Sequence, residues 1–192
     1  MKTLTGRDTE ILVERLREAV QLADVPAIAG RIKEELQEFA AGGLLLPERF
    51  RQTAATHYRR RLLHRDPVLG FTAVVMTWGP GQRTALHDHA GIWCVEAVVE
   101  GEMEVTRFEL AEQEGAFCRF VERGRVRAGV GSAGALIPPF EYHVLANALP
   151  DHVALTLHVY GGEMDHCSVF EPVDGHPGGR FRRTERALSY DA

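Results

Sequence analysis

Three of the nine histidines in this 192-residue sequence stand where their side chains can converge. His87-Asp88-His89 follows the turn-forming run Trp78-Gly79-Pro80-Gly81-Gln82-Arg83-Thr84. In a strand, residues i and i+2 face the same side, so a strand beginning there points His87 and His89 into one cavity. An isolated His-x-His is more often a polar surface pair beside a loop, but a third histidine changes the balance. His143, behind Pro138-Pro139, stands at the start of another short strand. Three neutral imidazoles on a rigid barrel hold a divalent first-row metal and leave coordination positions open. Asp88 points to the opposite strand face, which suits a supporting or solvated role rather than ligation. His57, His64, His152, His166 and His176 occupy connections, turns or loops and are read as non-ligands.

The elements that position these residues fall into a helical front and a strand-rich body. Residues 8–40 show helical periodicity. Ile11, Leu12, Leu16, Val20 and Leu22 make one stripe, and Asp24 ahead of Pro26 marks a stop and restart. Ile28, Ile32, Leu36 and Phe39 make a second stripe that ends at Gly42-Gly43. A third short helix is predicted from Pro47 to about His57. From Phe71 onward, segments such as FTAVVMTW, WCVEAVVEG, EMEVTRFEL, ALIPP and VALTLHVY alternate with Gly, Pro, Asn or Asp. That rhythm predicts an antiparallel sandwich or barrel. The polar tail carries a last strand and a loose end. The whole, 1–192, reads as a single domain: helical front 1–65, β-barrel 66–175, tail 176–192.

Composition narrows the function classes. Lys and Arg number 22 against 27 Asp and Glu, a net charge of −5, which disfavours a nucleic-acid binder. No segment approaches ~20 apolar residues, so no membrane span is expected. Charges interrupt the N-terminal apolar positions, so no secretory signal is read there. Cys94, Cys118 and Cys167 are an odd, sparse set rather than a disulfide framework, and a cytoplasmic location is expected. Cys118 and Cys167 read as packing residues. Trp78 and Trp93 read as core or cavity wall.

The spacing Gly81, five residues, His87-x-His89, four residues, Cys94, six residues, Gly101 resembles the first cupin motif, with Cys94 where that motif carries Glu. Pro138 ahead of His143, followed by Asn147, resembles the second. This resemblance implies a mainly β fold: a cupin double-stranded β-barrel, or jelly roll, behind the N-terminal helical segment. Cysteine at the Glu position resembles the cysteine dioxygenase family of thiol dioxygenases. That family carries His-x-His, a Cys five residues on, a third His, then Ser-x-His-x-Tyr. This sequence has His87, His89, Cys94, His143 and Thr156-Leu157-His158-Val159-Tyr160. Upstream, Tyr58-Arg59-Arg60-Arg61-Leu62 resembles the Tyr-x-Arg-x-Leu segment that supplies a carboxylate-binding arginine. The resemblance covers roughly residues 55–172.

The resemblance implies Fe²⁺ held by His87, His89 and His143. A ligand set without carboxylate leaves the ion its full charge and room for a thiolate and O₂. It further implies Tyr160 as hydrogen-bond donor, oriented by His158 and Thr156, and Arg60 as the carboxylate holder. Cys94 and Tyr160 form a candidate thioether crosslink. On residue type alone, Arg60 reads equally as one of three solvated arginines, Tyr160 as a buried strand tyrosine, and Cys94 as a small core residue. Thr156 replaces the family's serine and retains a hydroxyl. The run TWGPGQRTALHDH resembles the related bacterial 3-mercaptopropionate dioxygenases. Those usually carry Gly at the Cys94 position, Gln at the Arg60 position, and an arginine where this chain has Ser168. Asp165-His166-Cys167 resembles the cysteine type.

The expected activity is therefore iron-dependent oxidation of L-cysteine to cysteine sulfinate with O₂. Oxidation of 3-mercaptopropionate or another small carboxylated thiol is the alternative. A non-enzymatic metal-binding cupin sensor is the other class, but it has no use for the Cys94, His158 and Tyr160 set. The expected partners are a small thiol and O₂, with no nucleic acid and no membrane, in a monomer or weak homo-oligomer.

Overall fold

The computed structural model describes residues 2–3, 6–42, 44–173 and 179–192. Gly43 and His176 lie outside the described residues. Helices α1 (Gly6–Ala19) and α2 (Val25–Ala41) come first, flanked by a short parallel pair, β1 (Lys2–Thr3) with β2 (Leu44–Leu45). A five-stranded antiparallel sheet follows the spatial order β3 (Arg59–Asp66), β4 (Phe71–Trp78), β11 (Ala154–Tyr160), β6 (Cys94–Glu100), β9 (Ala133–Leu136). The remaining strands close on themselves in the order β10 (His143–Asn147), β5 (Leu86–His87), β12 (His166–Pro172), β13 (Arg180–Ala187), β8 (Phe117–Gly129), β7 (Glu102–Glu114). The chain is mainly β behind a helical segment; the barrel is what the strand rhythm predicts, and its cupin-type jelly roll is what the resemblance implies. No helix among the described residues is long and apolar enough to cross a membrane.

The helices form where caps and apolar spacing agree. Asp24 accepts the Ala27 N–H at 2.8 Å, and Pro26 sits in the first turn of α2, where its missing N–H costs nothing. Leu12 and Leu16 of α1 join Ile32 and Leu36 of α2 against Phe71, Val75, Val95, Leu155 and Leu157 of the five-stranded sheet. Each such burial contributes about 1.5–3 kcal/mol. Ile11 and Leu22, included in the predicted stripe, are each 44% exposed. Ile11 is rotated about 100° from Leu12 around the helix, and Leu22 lies past the end of α1.

Three other expectations need correction. The predicted helix from Pro47 to His57 is only a 3₁₀ turn, Glu48–Phe50. Beyond the buried Phe50 the sequence Arg51-Gln52-Thr53-Ala54-Ala55-Thr56-His57 offers no apolar stripe to bury. The helical front ends before residue 65, because β3 begins at Arg59 and carries His64. Its charge-rich sequence hides a strand that β4 stabilises by pairing from Arg59↔Thr77 to Asp66↔Phe71. The tail is not loose. Asp191 accepts the Arg60 N–H at 2.9 Å and donates its own N–H to the Arg60 carbonyl at 2.7 Å. The Tyr190 hydroxyl donates to Glu163 at 2.7 Å.

Strand alternation decides which side chains enter the barrel. Both faces of β4, β6 and β11 are covered, one by the helices and the other by the barrel. Leu155, Leu157 and Val159 of β11 face the helices, so Thr156, His158 and Tyr160 face inward. On β6, Val95 and Ala97 face the helices, so Cys94, Glu96 and Val98 face inward. The register then sets Cys94 opposite Tyr160 and Glu96 opposite His158.

The β6–β7 turn holds this register, and Gly101 sits in it at φ +75°. A Cβ there would meet the Val153 carbonyl at 2.9 Å. Gly101→Ala is therefore expected to destabilise the protein by about 1–3 kcal/mol, from the left-handed backbone and the backbone clash together. A lower urea midpoint at unchanged slope is the expected result.

Candidate metal centre

The three histidines meet because two strands and a turn bring them together. His87 on β5 and His143 on β10 are direct register partners, with ring centroids 4.6 Å apart. His89, just past the end of β5, stands 5.1 Å from each ring. One ring nitrogen from each lies within 4.8 Å of the other two. His87 Nδ1 donates to the Ala85 carbonyl at 3.0 Å, which leaves Nε2 as its lone-pair atom. His143 is fully buried, and neither of its ring nitrogens has a hydrogen-bond partner; His89 Nδ1 is likewise without one. Buried polar atoms are rarely left unpartnered. A divalent cation between the three imidazoles would take one nitrogen from each, so the donor set fits a metal.

Electrostatics keep the set ready to ligate. Burial pushes His87 down to about 3, with His89 adding to the shift. Burial and the neighbouring His87 and His89 hold His143 well below the usual imidazole range. Both rings are neutral near pH 7, the form that binds metal. Asp88 accepts the N–H groups of Ser168 at 2.8 Å and Ala90 at 3.1 Å. It ties the histidine turn to β12 and does not join the ligand group. Glu141 accepts the His89 backbone N–H at 2.9 Å and lies 3.5 Å from its Nδ1.

The inward residues of β11 form a second layer. Trp78 Nε1 donates to Thr156 Oγ1 at 2.9 Å, and Thr156 Oγ1 lies 2.7 Å from His158 Nε2. His158 Nδ1 lies 3.5 Å from Glu96 Oε2 and 4.0 Å from Cys94 Sγ. The His158 and Tyr160 rings are near-parallel at 14°, with centroids 6.0 Å apart and no hydrogen bond between them. Of the expected Thr-His-Tyr chain, the first link is thus made and the second is not. Tyr160 instead faces Cys94 across the β6–β11 pair. Burial, reinforced by Cys94, holds the Tyr160 hydroxyl well above its usual range, so it stays a donor. Burial also raises the Cys94 thiol, with Glu96 adding to the effect.

Of the three consecutive arginines, alternation sends only Arg60 into the cavity. Its terminal nitrogens donate to the Met164 carbonyl at 2.9 Å and the Ser189 carbonyl at 3.3 Å. It is buried and has no carboxylate partner among the described residues. Arg61 is held on the other face by Gln52, Thr77 and Ala192. Arg60, Tyr58, Tyr160, His158 and the three histidines line one small cavity. Trp78 is fully buried, with Tyr58 stacked on it at 4.4 Å. Cys118 packs in the barrel core, while Cys167 also lines the cavity, its thiol raised to about 11 by burial.

Sequence reasoning missed Glu96, Glu141 and Arg186, which also lines the cavity. Glu96 had a usable signal, because it stands two residues after Cys94 in a strand and so shares its face. Glu141 and Arg186 had none, being brought in by a turn and by the last strand.

The family model for cysteine dioxygenase type I matches residues 16–172. The chain belongs to that family. Relatives include cysteine dioxygenase type 1 of Rattus norvegicus, 21% identical over 106 residues, 55% of this chain and 52% of the relative. The Homo sapiens protein is 22% identical over the same shares. The chain spans about half the length of the curated relatives it matches. Similar solved structures include TT1209 from Thermus thermophilus, with 19% identity, 59% of this chain, 90% of that chain and a TM-score of 0.45. Another is a protein with a double-stranded β-helix domain from Klebsiella pneumoniae, with 19% identity, 61% and 88% coverage and a TM-score of 0.45.

In this cysteine dioxygenase family member, three buried histidines make stability depend on pH in a definite direction. His87, His143 and His158 are all depressed in the folded state, each first by burial. The unfolded chain therefore binds more protons below its ordinary imidazole value near 6.5. The stabilisation is present above that value and is lost as pH falls from it toward about 3, the His87 value. Glu96, raised by burial to about 8, acts in the opposite sense and offsets one proton of the three above its ordinary value. Metal-free protein should lose stability on going from pH 7 to 5, by about 1.4 kcal/mol per pH unit for each uncompensated histidine. A urea midpoint that stays level across that interval would contradict the neutral-histidine assignment.

Proposed function

We propose that the protein is an iron-dependent thiol dioxygenase that converts L-cysteine to cysteine sulfinate. Both atoms of O₂ join the sulfur, and the thiol proton is released. The observation that carries this reading is one cavity in which His87, His89 and His143 meet a buried, unpaired Arg60 and the neutral Tyr160. Fe²⁺ held by the three histidines would supply open positions at which the thiolate and O₂ meet.

The chain's own groups then divide the work. Arg60 is a buried cation without an anionic partner, an arrangement that is costly until an anion arrives. The substrate carboxylate is that anion, and the planar guanidinium suits it. Tyr160 keeps its proton and offers a hydrogen bond beside His89, 6.1 Å away ring to ring. Cys94 directly opposite Tyr160 supports the thioether crosslink between them.

The alternative substrate, 3-mercaptopropionate, rests on the Trp78–Thr84 run. Its side chains serve the scaffold. Gln82 accepts the Gly79 N–H and donates to the Ala54 carbonyl, both at 2.7 Å. Thr84 Oγ1 accepts the Leu145 N–H at 3.0 Å, and Trp78 binds Thr156. Both thiols carry a carboxylate that Arg60 can hold, so the preference for cysteine rests on the resemblance, in which the cysteine type has Arg and the 3-mercaptopropionate type Gln at this position.

Oxygen uptake by iron-loaded protein, measured across a thiol panel, is the direct test. Cysteine should turn over fastest. A wide preference for 3-mercaptopropionate would overturn the substrate assignment, and no uptake with any thiol would favour the sensor class. Turned-over protein should contain a fraction lighter by two hydrogens that Cys94→Ser lacks. His143→Ala should strip most of the iron and the activity, and iron content near wild type would refute the ligand set.

Arg60→Ala removes the only cavity cation held by carbonyls. A lost contact of this type costs about 2–5 kcal/mol in a desolvated pocket. kcat/KM for cysteine should fall accordingly, while cysteamine, which has no carboxylate, should be little affected. Equal losses for both thiols would make Arg60 structural.

A further inference from the structure

Glu96 is a buried carboxyl that the proposed chemistry leaves without a role. Its side chain enters the barrel from β6, and Oε2 has no hydrogen-bond partner within normal reach. Burial alone raises it to about 8. An isolated acid in this position costs stability, and an apolar residue would pack there without the cost. Its one polar neighbour of consequence is His158 Nδ1 at 3.5 Å, its cross-strand register partner. Glu96 and Thr156 line a second cavity, which the metal-side histidines do not reach. His158 lines the metal cavity. Thr156 and Glu96 thus flank His158 at its two nitrogens, Thr156 by a hydrogen bond at 2.7 Å and Glu96 by an approach of 3.5 Å.

Hydrogen counting allows His158 either tautomer on the Thr156 side, so the group at Nδ1 decides; the arrangement in which Nε2 accepts is the one that pairs Nδ1–H with Glu96. Trp78 Nε1–H can only donate, so Thr156 Oγ1 accepts it. The Thr156 hydroxyl proton can then take His158 Nε2 as its acceptor, at 2.7 Å. A neutral imidazole with an accepting Nε2 carries its proton on Nδ1, and burial keeps His158 neutral. Nδ1–H needs an acceptor: Cys94 Sγ, a weak one, lies at 4.0 Å, and Glu96 Oε2 is the nearer and stronger one at 3.5 Å. Thr156 alone does not choose the tautomer, because a hydroxyl accepts as readily as it donates.

We propose that Glu96 is a positioning residue that receives His158 Nδ1–H and so fixes the tautomer and ring orientation of His158 behind Tyr160. This rests on the thiol dioxygenase reading for its effect on turnover, but not for the tautomer itself. The near-parallel stacking of His158 on Tyr160 makes the consequence specific. A ring that turns, or moves its proton to Nε2, alters the support of the Tyr160 hydroxyl without touching the carboxylate end of the cavity at Arg60.

The test pairs two variants. Glu96→Gln keeps an accepting oxygen, whereas Glu96→Leu removes it at similar volume. Nitrogen-15 NMR of metal-free, histidine-labelled protein reads the His158 tautomer without any turnover. Wild type and Glu96→Gln should show Nδ1–H, and Glu96→Leu should lose that predominance. In iron-loaded protein, Glu96→Leu should lower kcat about 10-fold or more, with KM for the thiol little changed. Glu96→Gln should restore most of the rate. A wild-type tautomer in Glu96→Leu overturns the proposal, as does a Glu96→Gln variant impaired as severely as Glu96→Leu. If wild type oxidises no thiol, the dioxygenase reading fails, and the NMR result judges the Glu96 assignment separately.

Discussion

Burial of both faces of the five-stranded sheet is the constraint on which the rest depends. One face must be apolar to receive Leu12, Leu16, Ile32 and Leu36 from the helices. A strand has only two faces, so every alternate residue of β4, β6 and β11 is committed to the barrel interior. Those committed positions carry Trp78, Cys94, Glu96, Thr156, His158 and Tyr160. The packing that stabilises the fold is thus the same packing that aims the chemistry. A one-residue slip of β11 against β6 would send Leu157 inward and His158 into the helices.

Desolvation does the electrostatic work in this interior. It favours the neutral form of each titratable group, and it does so in opposite directions for acids and bases. His87, His143 and His158 are pushed down, while Glu96, Cys94 and Tyr160 are pushed up. The result is an interior of neutral donors and acceptors beside two permanent cations, the buried Arg60 and the more exposed Arg186. A guanidinium cannot escape by losing its proton. Arg60 is held by the Met164 and Ser189 carbonyls and remains available to an anion.

The last strand and the residues after it complete the cavity from the far side. Ser189 and Asp191 hold Arg60 at its side chain and backbone, and Arg186 of β13 lines the same space. The charged β3 is tied into this arrangement. Its Arg60 and Arg61 each take one carbonyl partner from the residues after β13, Ser189 and Ala192, beside those from Met164 and Gln52.

Local sequence determined a good deal of this protein. The β-branched and aromatic runs FTAVVMTW and VALTLHVY marked the strands, because strand propensity is local, but both faces of each are buried, so the sequence did not mark which alternate residues enter the barrel. Asp24 and Pro26 settled the start of α2, because a cap acts within one turn. The His87-x-His89 spacing and His143 marked a ligand set for the same local reason. Tertiary structure alone decided which of Arg59, Arg60 and Arg61 enters the cavity, since three identical residues differ only in what packs against them. It alone made a strand of charge-rich β3, which depends on pairing with β4, and docked the tail, whose partner Arg60 lies more than 100 residues away in sequence. It alone gave Glu96 a partner, because a carboxylate two residues from a cysteine in sequence says nothing about the histidine across the sheet. Residue types are written locally, but desolvation and register are properties of the assembled barrel.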